Sequence, residues 1–504
     1  MTTSVRTLRK IAGVLAGWDL VILIALYGVF VLTDRLPLPG LLAICVLWIA
    51  RWWTTRRFAI MTPMTLPILS VLIMVPVTLY ASVDWTLSLP KIYGIVLSIA
   101  VFYTVVNRVH TLQGVWLITI GLVLASSAVA LLGLAGTDWM ESKLFALPQL
   151  YDRLPRLIQG IPRSIRGGFH PNGVGGTLIF FVPLLVSLLC ASPELETPRF
   201  VDDDWRLRIW WRWHRPIVLL SLLLAVLTLV LTKSRGSYVG LAVGLWALAV
   251  WRDRRWLWLI PGVALALVVV TLTGRVESLM ELVLRMDTVA GNVSGTVEGR
   301  FEVWQRALYM IQDFPYTGIG IGTFDRVVHV LYPLFLMGPD AQVTHAHNEL
   351  LQAAVDMGIP TLVAYVALLS AFAMAAWRAY WALPDPGMRA VIVGLACGML
   401  AHQVFGVTDA FLLGTKPGVV MWVFLGIVAG LYLHRHGMAS EGRVSKGDGE
   451  AGTVESSIRS RIGDFLLAFG YWILFSLLAI AFVGNRPTIG LAIALAGGLA
   501  LGFF

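Results

Sequence analysis

Charged residues are scarce in this sequence. Asp, Glu, Lys and Arg make up 13% of the 504 residues, whereas 58% are hydrophobic, and the mean hydropathy is +0.80. Soluble globular domains carry about 25% charged residues, so this composition excludes an ordinary soluble enzyme. Several apolar stretches reach the roughly 20 residues that cross a hydrocarbon core of about 30 Å. We therefore expect an all-α polytopic membrane protein.

Cysteine is also rare. Its three copies, Cys45, Cys190 and Cys397, lie within apolar runs, which excludes a disulfide framework or a thiolate metal site. The basic N-terminus is followed by no A-x-A-like cleavage site, so we expect the first apolar segment to remain as a membrane helix. The formal net charge of +9 is explained by topology and lipid headgroups rather than by nucleic acid.

Apolar stretches recur along nearly the whole chain. Between charged or Pro/Gly-rich breaks they predict fourteen spans, near residues 17–33, 38–50, 64–83, 90–107, 114–135, 174–192, 216–232, 235–251, 256–273, 359–377, 390–407, 417–433, 465–483 and 488–504. With the N-terminus in the cytoplasm, most Lys and Arg residues fall in the inside loops, as the positive-inside rule requires. The last two spans then extend a core of about twelve.

This topology divides the chain into segments. They are N-terminal transmembrane helices (1–135), an outer loop with central transmembrane helices (136–273), a long periplasmic loop (274–358), transmembrane helices (359–434), a Gly/Ser-rich cytoplasmic linker predicted to be disordered (435–464) and two extra transmembrane helices (465–504). Chemistry is expected in the long outer loops, where basic residues gather against the positive-inside trend. In the periplasmic loop, residues 298–313 are predicted to form an amphipathic helix that ends before Pro315.

Two cations lie where predicted spans meet at the outer face. Lys233 and Arg235 occur in TKSRGSYVG, with almost no loop between the spans. Arg235 is a candidate functional residue, because a charge at that depth is costly unless it is paired or lines a polar cavity. Gly236 and Ser237 after it permit close helix approach. Lys233 can alternatively snorkel to lipid phosphate.

The predicted loop helix carries two arginines. Arg300, near its start, is equally compatible with a site and with a solvated helix face, whereas Arg306 is expected on the solvated face. The following GIGIGT (318–323) lacks the preceding strand of a dinucleotide fingerprint and the Lys-Ser/Thr pair of a Walker loop. A tight turn is therefore predicted there.

Two histidines and an Asn-Glu pair open the segment THAHNELLQAAVDMGIP (344–360). His345 and His347 suggest a metal site together with His329, but an H-x-H pair without a spaced carboxylate is not a zinc signature, so we predict no metal. His347 suits a general base, because its ordinary pKa of about 6.5 lets it accept a hydroxyl proton at neutral pH. Alternatively, it caps a helix. Asp409, at the outer end of a later span, would pair with an Arg or His of this site or N-cap the next helix.

These segments resemble a known family. His347-Asn348, followed after nine residues by Gly358-Ile359-Pro360-Thr361, resembles the H-[NSQ]-x9-G-x-x-[GTY] signature of bacterial O-antigen ligases. Similar motifs of the wider O-antigen ligase and polymerase superfamily are RGGFHPNGVGG (166–176), TKSRGSYVG (232–240) and GRFEVWQRALYMIQDFPYTGIGIGTF (299–324). The motifs follow the order of the family.

The resemblance implies a metal-independent, inverting C-type glycosyltransferase without a cofactor, in the bacterial inner (cytoplasmic) membrane and active at its periplasmic face. It would move an O-antigen-like glycan from undecaprenyl diphosphate to an acceptor hydroxyl in lipopolysaccharide biosynthesis. The favoured acceptor is lipid A-core oligosaccharide. The loop 274–358 would be catalytic, with His347 as base and Arg235 and Arg300 holding the diphosphate. Substrate-binding roles would fall to Arg166, Asn348, Asp409, Lys233 and His345.

The acceptor stays open at this point, because repeat-unit polymerases and protein O-oligosaccharyltransferases share this constellation and donor. A lipid-linked glycan transporter or flippase would instead bind an anionic substrate with the outer arginines. That class predicts inverted repeats and charges near the bilayer midplane. The sequence shows no convincing internal repeat and gathers its charges at one face. The implied partners are the carrier-linked glycan, a hydroxyl acceptor and membrane lipids.

Overall fold

The computed structural model describes residues 3–32, 37–56, 59–109, 111–137, 169–191, 204–273, 297–337, 342–411, 413–444 and 451–503. Within these ranges the regular elements are helices, apart from one isolated bridge between Thr137 and Phe169. The prediction of an all-α protein is therefore confirmed.

The α-helices are numbered here in chain order. The first half contains α1 (Thr3–Gly17), α2 (Asp19–Leu32), α3 (Pro37–Thr55), α4 (Thr65–Ala81), α5 (Trp85–Arg108), α6 (Leu112–Gly136), α7 (Pro171–Ala191), α8 (Trp205–Thr232), α9 (Arg235–Arg252) and α10 (Leu259–Leu272). The second half contains α11 (Val297–Asp313), α12 (Phe324–Leu331), α13 (Glu349–Met357), α14 (Ile359–Ala382), α15 (Pro386–Phe405), α16 (Val419–Val444), α17 (Ala451–Val483) and α18 (Pro487–Leu501). A short 3-10 helix, Arg254–Trp258, links α9 to α10.

Eight helices in the described part of the chain are long and apolar enough to cross a membrane: α3, α5, α6, α7, α8, α14, α15 and the Gly463–Val483 part of α17. Helices α1 and α2 meet at an angle of 62°. They satisfy the length and hydropathy criterion only when they are counted together as one broken span. Helices α4 and α18 and the Val419–His434 part of α16 are apolar but shorter. Each of the fourteen predicted spans overlaps a helix. By the criterion of length and hydropathy, the described helices support a multi-pass protein with eight or nine spans. The count of fourteen stays a prediction.

Helices α7, α9 and α15 approach one another closely at small residues. A Cβ added to Gly394 on α15 would lie 2.7 Å from the Cα of Leu184 on α7. One added to Gly244 on α9 would lie 2.8 Å from the carbonyl oxygen of Cys397. Glycine allows backbones to pack at this distance, where dispersion and weak polar contacts hold membrane helices together.

The two ends of α5 define two ends of the bundle. Its first turns lie against the GIGIGT turn, where Ser88 Oγ donates to the Ile321 carbonyl at 2.7 Å, and its last residue is Arg108. Because α5 has 24 residues, these ends lie about 36 Å apart. We call them the site end and the opposite end. The GIGIGT segment forms the predicted turn, in which Gly318, Gly320 and Gly322 all have positive φ.

The two C-terminal helices pack against α14. Trp472 Nε1 on α17 donates to the Pro360 carbonyl at 3.0 Å, and a Cβ on Gly498 of α18 would lie 2.8 Å from the Val363 carbonyl. They therefore support α14 immediately after the Gly358 turn. Helix also extends into residues 435–444 and 451–464, which composition predicts to be a disordered linker.

Candidate active site

The loop 342–348 carries His345 and His347 and leads into α13. Asn348 is the N-cap of α13, since its Oδ1 accepts from the Leu351 amide at 3.0 Å. Its Nδ2 donates to the Val407 carbonyl at 3.1 Å, in the turn that follows α15. The alternative in which His347 caps the helix is therefore wrong, and Asn348 ties the histidine loop to the end of α15.

The backbone of His347 is in the left-handed region, with φ of 49°. A non-glycine residue there costs about 1–3 kcal/mol and persists where its surroundings hold it, often at a functional site. The His347 amide donates to His345 Nδ1 at 3.2 Å, and its carbonyl accepts from Trp304 Nε1 at 3.4 Å. These bonds hold the backbone of His347 on both sides.

A carboxylate faces both histidines. Oδ1 of the buried Asp409 lies 3.6 Å from His345 Nε2 and 3.9 Å from His347 Nδ1, and the two imidazole rings are 4.3 Å apart. Asp409 lies well before α16, which begins at Val419, so it does not cap that helix. The structure thus joins residues of the long loop to a residue beyond α15.

The two imidazoles have lowered pKa values. Burial is the main cause for His345, whose pKa falls to about 3, and positive charge acts in the same direction, from Lys91, His170 and Arg300. The pKa of His347 is also lowered, mainly by burial and by His345, while the Asp409 carboxylate opposes the shift. Both rings are consequently neutral at neutral pH.

Arg300 lies in the first turn of α11. Trp304, one turn later on the same helix, contacts the His347 carbonyl, and the positive charge of Arg300 reaches both histidines. Of the two interpretations left open by the sequence, the structure therefore favours a position beside the histidine cluster.

Arg235 is the first residue of α9, at a sharp corner after α8. A Cβ on the adjacent Gly236 would lie 2.7 Å from Thr408 Oγ1, so the start of α9 packs against the turn that carries Asp409. The close approach expected from Gly236 is confirmed. Arg235 is exposed at the site end.

Lys233 forms the corner itself and has a φ of 50°. Its residue exposure is 4%, and burial lowers its pKa. This burial favours a packed ammonium over the alternative in which Lys233 snorkels to lipid phosphate, which stays untested.

Two other residues named from the sequence, Arg306 and His329, lie apart from this cluster. Arg166 is outside the described residues. Arg306 is packed within the loop, since its Nε donates to the Pro333 carbonyl at 3.0 Å and its side chain is only 15% exposed, so the prediction of a solvated face is wrong. His329 Nδ1 lies 2.7 Å from the Asp325 carbonyl instead of joining His345 and His347.

A buried acid–imidazole pair beneath the loop escaped the sequence analysis. His402 Nε2 on α15 lies 3.3 Å from Glu349 Oε1, and its Nδ1 lies 3.3 Å from the Gly176 carbonyl. Its ring stacks on Phe180 at 4.1 Å, and the Glu349 amide donates to the Gly406 carbonyl at 2.7 Å. The pair therefore joins α13, α15 and α7. The available signal was a histidine within a predicted apolar span.

Lys91 on α5 was missed as well. Its Cγ lies 3.3 Å from where a Cβ on Gly322 would be, and its charge lowers the pKa of His345. A lone lysine within the predicted span 90–107 was the signal that could have identified it.

The cluster also has the composition of a metal site. His345, His347 and Asp409 each offer one ligand atom, all within 4.8 Å of one another. The carboxylate that the H-x-H pattern lacks locally is supplied through the fold. Zinc bonds of about 2.0–2.2 Å would draw tetrahedral ligand atoms to about 3.3–3.6 Å apart, so these side chains would have to close around an ion. Metal independence stays a prediction.

Part of the chain matches a known protein family. Residues 220–366 match the family model described as O-antigen ligase, a range that contains Lys233, Arg235, Arg300, His345 and His347. Asp409 and residues 1–219 lie outside it. No protein of curated function matches the chain.

Proposed function

Because residues 220–366 match the O-antigen ligase family model, we propose that this chain belongs to that family and transfers a glycan from undecaprenyl diphosphate to an acceptor hydroxyl, that of lipid A-core oligosaccharide, at the periplasmic face of the inner membrane. The family match supports a glycosyltransferase of the ligase and polymerase type. The observation that carries the proposal is the position of a neutral His347 at one end of the bundle. Its Nδ1 lies 3.9 Å from Asp409 Oδ1, and the charge of Arg300 reaches it.

In the proposed reaction, His347 removes the proton of the acceptor hydroxyl as its oxygen bonds to the anomeric carbon. The bond from that carbon to the diphosphate oxygen breaks at the same time, with inversion, and the diphosphate leaves. Because His347 Nδ1 faces Asp409, the proton is accepted at Nε2. Asp409 then stabilises the imidazolium, as a carboxylate does for a histidine base.

Cationic side chains stabilise the negative charge of the leaving group in the proposed reaction. A departing diphosphate gains negative charge, and preorganised guanidinium groups hold it in a low-dielectric site. Arg235 and Arg300 have this role in the proposal, with Lys91 and Lys233 as further cations of the site end. A bound diphosphate would also offset the positive charge that lowers the pKa of His347, so the base becomes stronger when the donor is present.

Other acceptors use the same chemistry. A repeat-unit polymerase or a protein O-oligosaccharyltransferase would need the same donor site and base, and would differ in the groups that hold the acceptor. A flippase would bind the carrier glycan without forming a glycosidic bond, and the histidine–carboxylate cluster favours transfer over transport.

The proposal is tested by transfer in vitro from a defined undecaprenyl-diphosphate glycan. Lipid A-core oligosaccharide, a second carrier-linked repeat unit and a protein are offered as acceptors, with and without chelator. His347→Ala and Arg235→Ala are expected to abolish transfer without loss of expression or membrane insertion. Arg255→Ala is the matched control, because that arginine is 90% exposed on the 3-10 helix after α9.

Full activity of His347→Ala or Arg235→Ala would overturn the proposal. Product on the carrier-linked unit or on protein, with none on lipid A-core oligosaccharide, would replace the acceptor assignment. Glycan movement across reconstituted vesicles without any new glycosidic bond would favour the flippase.

A further inference from the structure

The opposite end of the bundle contains a second polar site. A cavity of about 810 Å³ lies where α2, α3, α5, α6 and α8 meet, and Asp19, Arg51, Arg108 and Arg206 line it together with Asn107, Thr111 and Gln113. Since Arg108 ends the 24-residue α5, the cavity is about 36 Å from the GIGIGT turn at the site end. It is therefore separate from the candidate active site.

The lining carries more positive than negative charge. The carboxylate of Asp19, which is 7% exposed, accepts from Arg51 Nη1 at 2.9 Å and from Arg108 Nη2 at 2.6 Å. Arg206 pairs separately with Asp204 at 2.8 Å. Three guanidinium groups thus face two carboxylates, and the surplus positive charge favours an anionic ligand.

Both arginines that share Asp19 can still reach a ligand. Arg51 and Arg108 are 20% and 39% exposed, and each gives one terminal nitrogen to the Asp19 carboxylate. A guanidinium group has further N–H donors in a planar fork, which suits the oxygens of a phosphate. Asp19 therefore holds two guanidinium groups side by side at the rim of the cavity.

The rest of the lining is apolar. Leu117, Ile120, Gly121 and Leu124 continue from the polar residues along α6, and Ile209 faces them from α8. Leu124 is 57% exposed, and a Cβ on Gly121 would meet no described atom within 4 Å. A free phosphate would use only the arginines, whereas a lipid would use the arginines and this apolar wall.

We propose that the cavity binds the phosphate headgroup of an anionic glycerophospholipid, with the first part of its acyl chains along α6. Basic pockets between membrane helices bind such headgroups by the same combination of charge and apolar lining. Arg108 also donates to the Gly17 carbonyl at 2.9 Å, where α1 bends into α2, so the bound lipid would hold this bend against α5.

The test measures lipid retained by the purified, delipidated full chain, by native mass spectrometry. Phosphatidylglycerol and phosphatidylcholine with identical acyl chains are offered in turn, and inorganic phosphate is added as a competitor. We expect the wild type to retain phosphatidylglycerol in preference to phosphatidylcholine. The double variant Arg51→Gln/Arg108→Gln should lose about fivefold or more of that retention, the effect of about one cationic side chain at a lipid surface.

Two further variants separate binding from folding. Gly121→Phe fills the apolar wall without touching the Asp19 pair, and it is expected to reduce retention while the thermal unfolding midpoint is kept. Arg255→Gln, an exposed arginine outside the cavity, should retain phosphatidylglycerol as the wild type does.

Equal retention of the two lipids by the wild type would overturn the proposal. Unchanged retention of phosphatidylglycerol by Gly121→Phe would overturn it as well. If the double variant fails to fold, the result for Gly121→Phe decides by itself. Displacement of the lipid by millimolar inorganic phosphate, with Gly121→Phe unaffected, would identify a free-phosphate site instead.

Discussion

Nδ1 of His347 lies 3.9 Å from Oδ1 of Asp409, across the turn that follows α15. The carboxylate is buried and belongs to a segment separated from the histidine loop by two membrane-crossing helices, α14 and α15. The Asp409 carboxylate opposes the fall in the pKa of His347, which leads to the first prediction.

Asp409→Asn should slow transfer and move its pH dependence. Because the carboxylate raises the pKa of His347, its removal lowers that pKa, and the acidic limb of the kcat/KM profile should shift to lower pH. We expect the plateau rate to fall about 10²-fold or more, since the imidazolium loses its stabilising partner. Steady-state rates across pH measure both effects. Asp313→Asn on α11 is the control, and a profile that shifts to higher pH would contradict the assignment.

Glu349 and His402 should contribute to the free energy of unfolding as a coupled pair. Glu349→Leu or His402→Leu alone leaves a buried polar partner unpaired and should destabilise the protein by about 3–5 kcal/mol. The double variant Glu349→Leu/His402→Leu should be less destabilised than the sum of the two. Thermal unfolding in detergent, followed by tryptophan fluorescence, tests this. Additive effects would show that the pair is not coupled.

Gly358→Ala should be destabilising. Gly358 has a φ of 81°, and a Cβ there would overlap the Tyr316 carbonyl, so we expect a loss of at least about 1–3 kcal/mol. Gly28→Ala is the matched control, because Gly28 lies within α2 with no described atom within 4 Å of its Cβ position. That change should be neutral or stabilising by up to about 1 kcal/mol. Equal unfolding midpoints for the two variants would refute the argument.

Zinc should inhibit transfer, and chelator should not. The predicted mechanism needs no metal, yet His345, His347 and Asp409 can close on an added ion and block the base. His345→Gln removes one ligand and should weaken inhibition by about tenfold or more. His329→Gln, whose imidazole bonds the Asp325 carbonyl, should leave the inhibition constant unchanged. Activity lost in chelator and restored by a metal would instead make the cluster a metal centre.

Much of the architecture was predictable because its signals are local. A continuous apolar run dictates a helix in a membrane, where backbone groups must be satisfied internally. The 298–313 helix and the glycine turn at 318–323 were likewise predictable from periodicity and from Pro and Gly. Helix length was harder to predict, because hydropathy alone does not separate the bent pair α1 and α2 from a straight span.

The site was predictable only in part. His347, Arg235 and Arg300 were named as candidates through motifs, whereas Lys91 and His402 lie within apolar runs where only an isolated polar residue marks them. The burial of Lys233 and of Arg306 could not be predicted, since a long cationic side chain is equally compatible with solvent, lipid and a packed interior until its neighbours are known.

By itself, the sequence determined that this is a helical membrane protein and named candidate site residues in a late loop, because hydrophobicity, turn chemistry and short motifs depend on a few neighbouring residues. Only the tertiary structure decided that Asp409 faces His345 and His347, that Glu349 pairs with His402, and that one carboxylate, Asp19, gathers arginines from α3 and α5. These relationships depend on how distant helices pack, and helix packing is set by the small residues between them rather than by the chemistry of the residues it brings together.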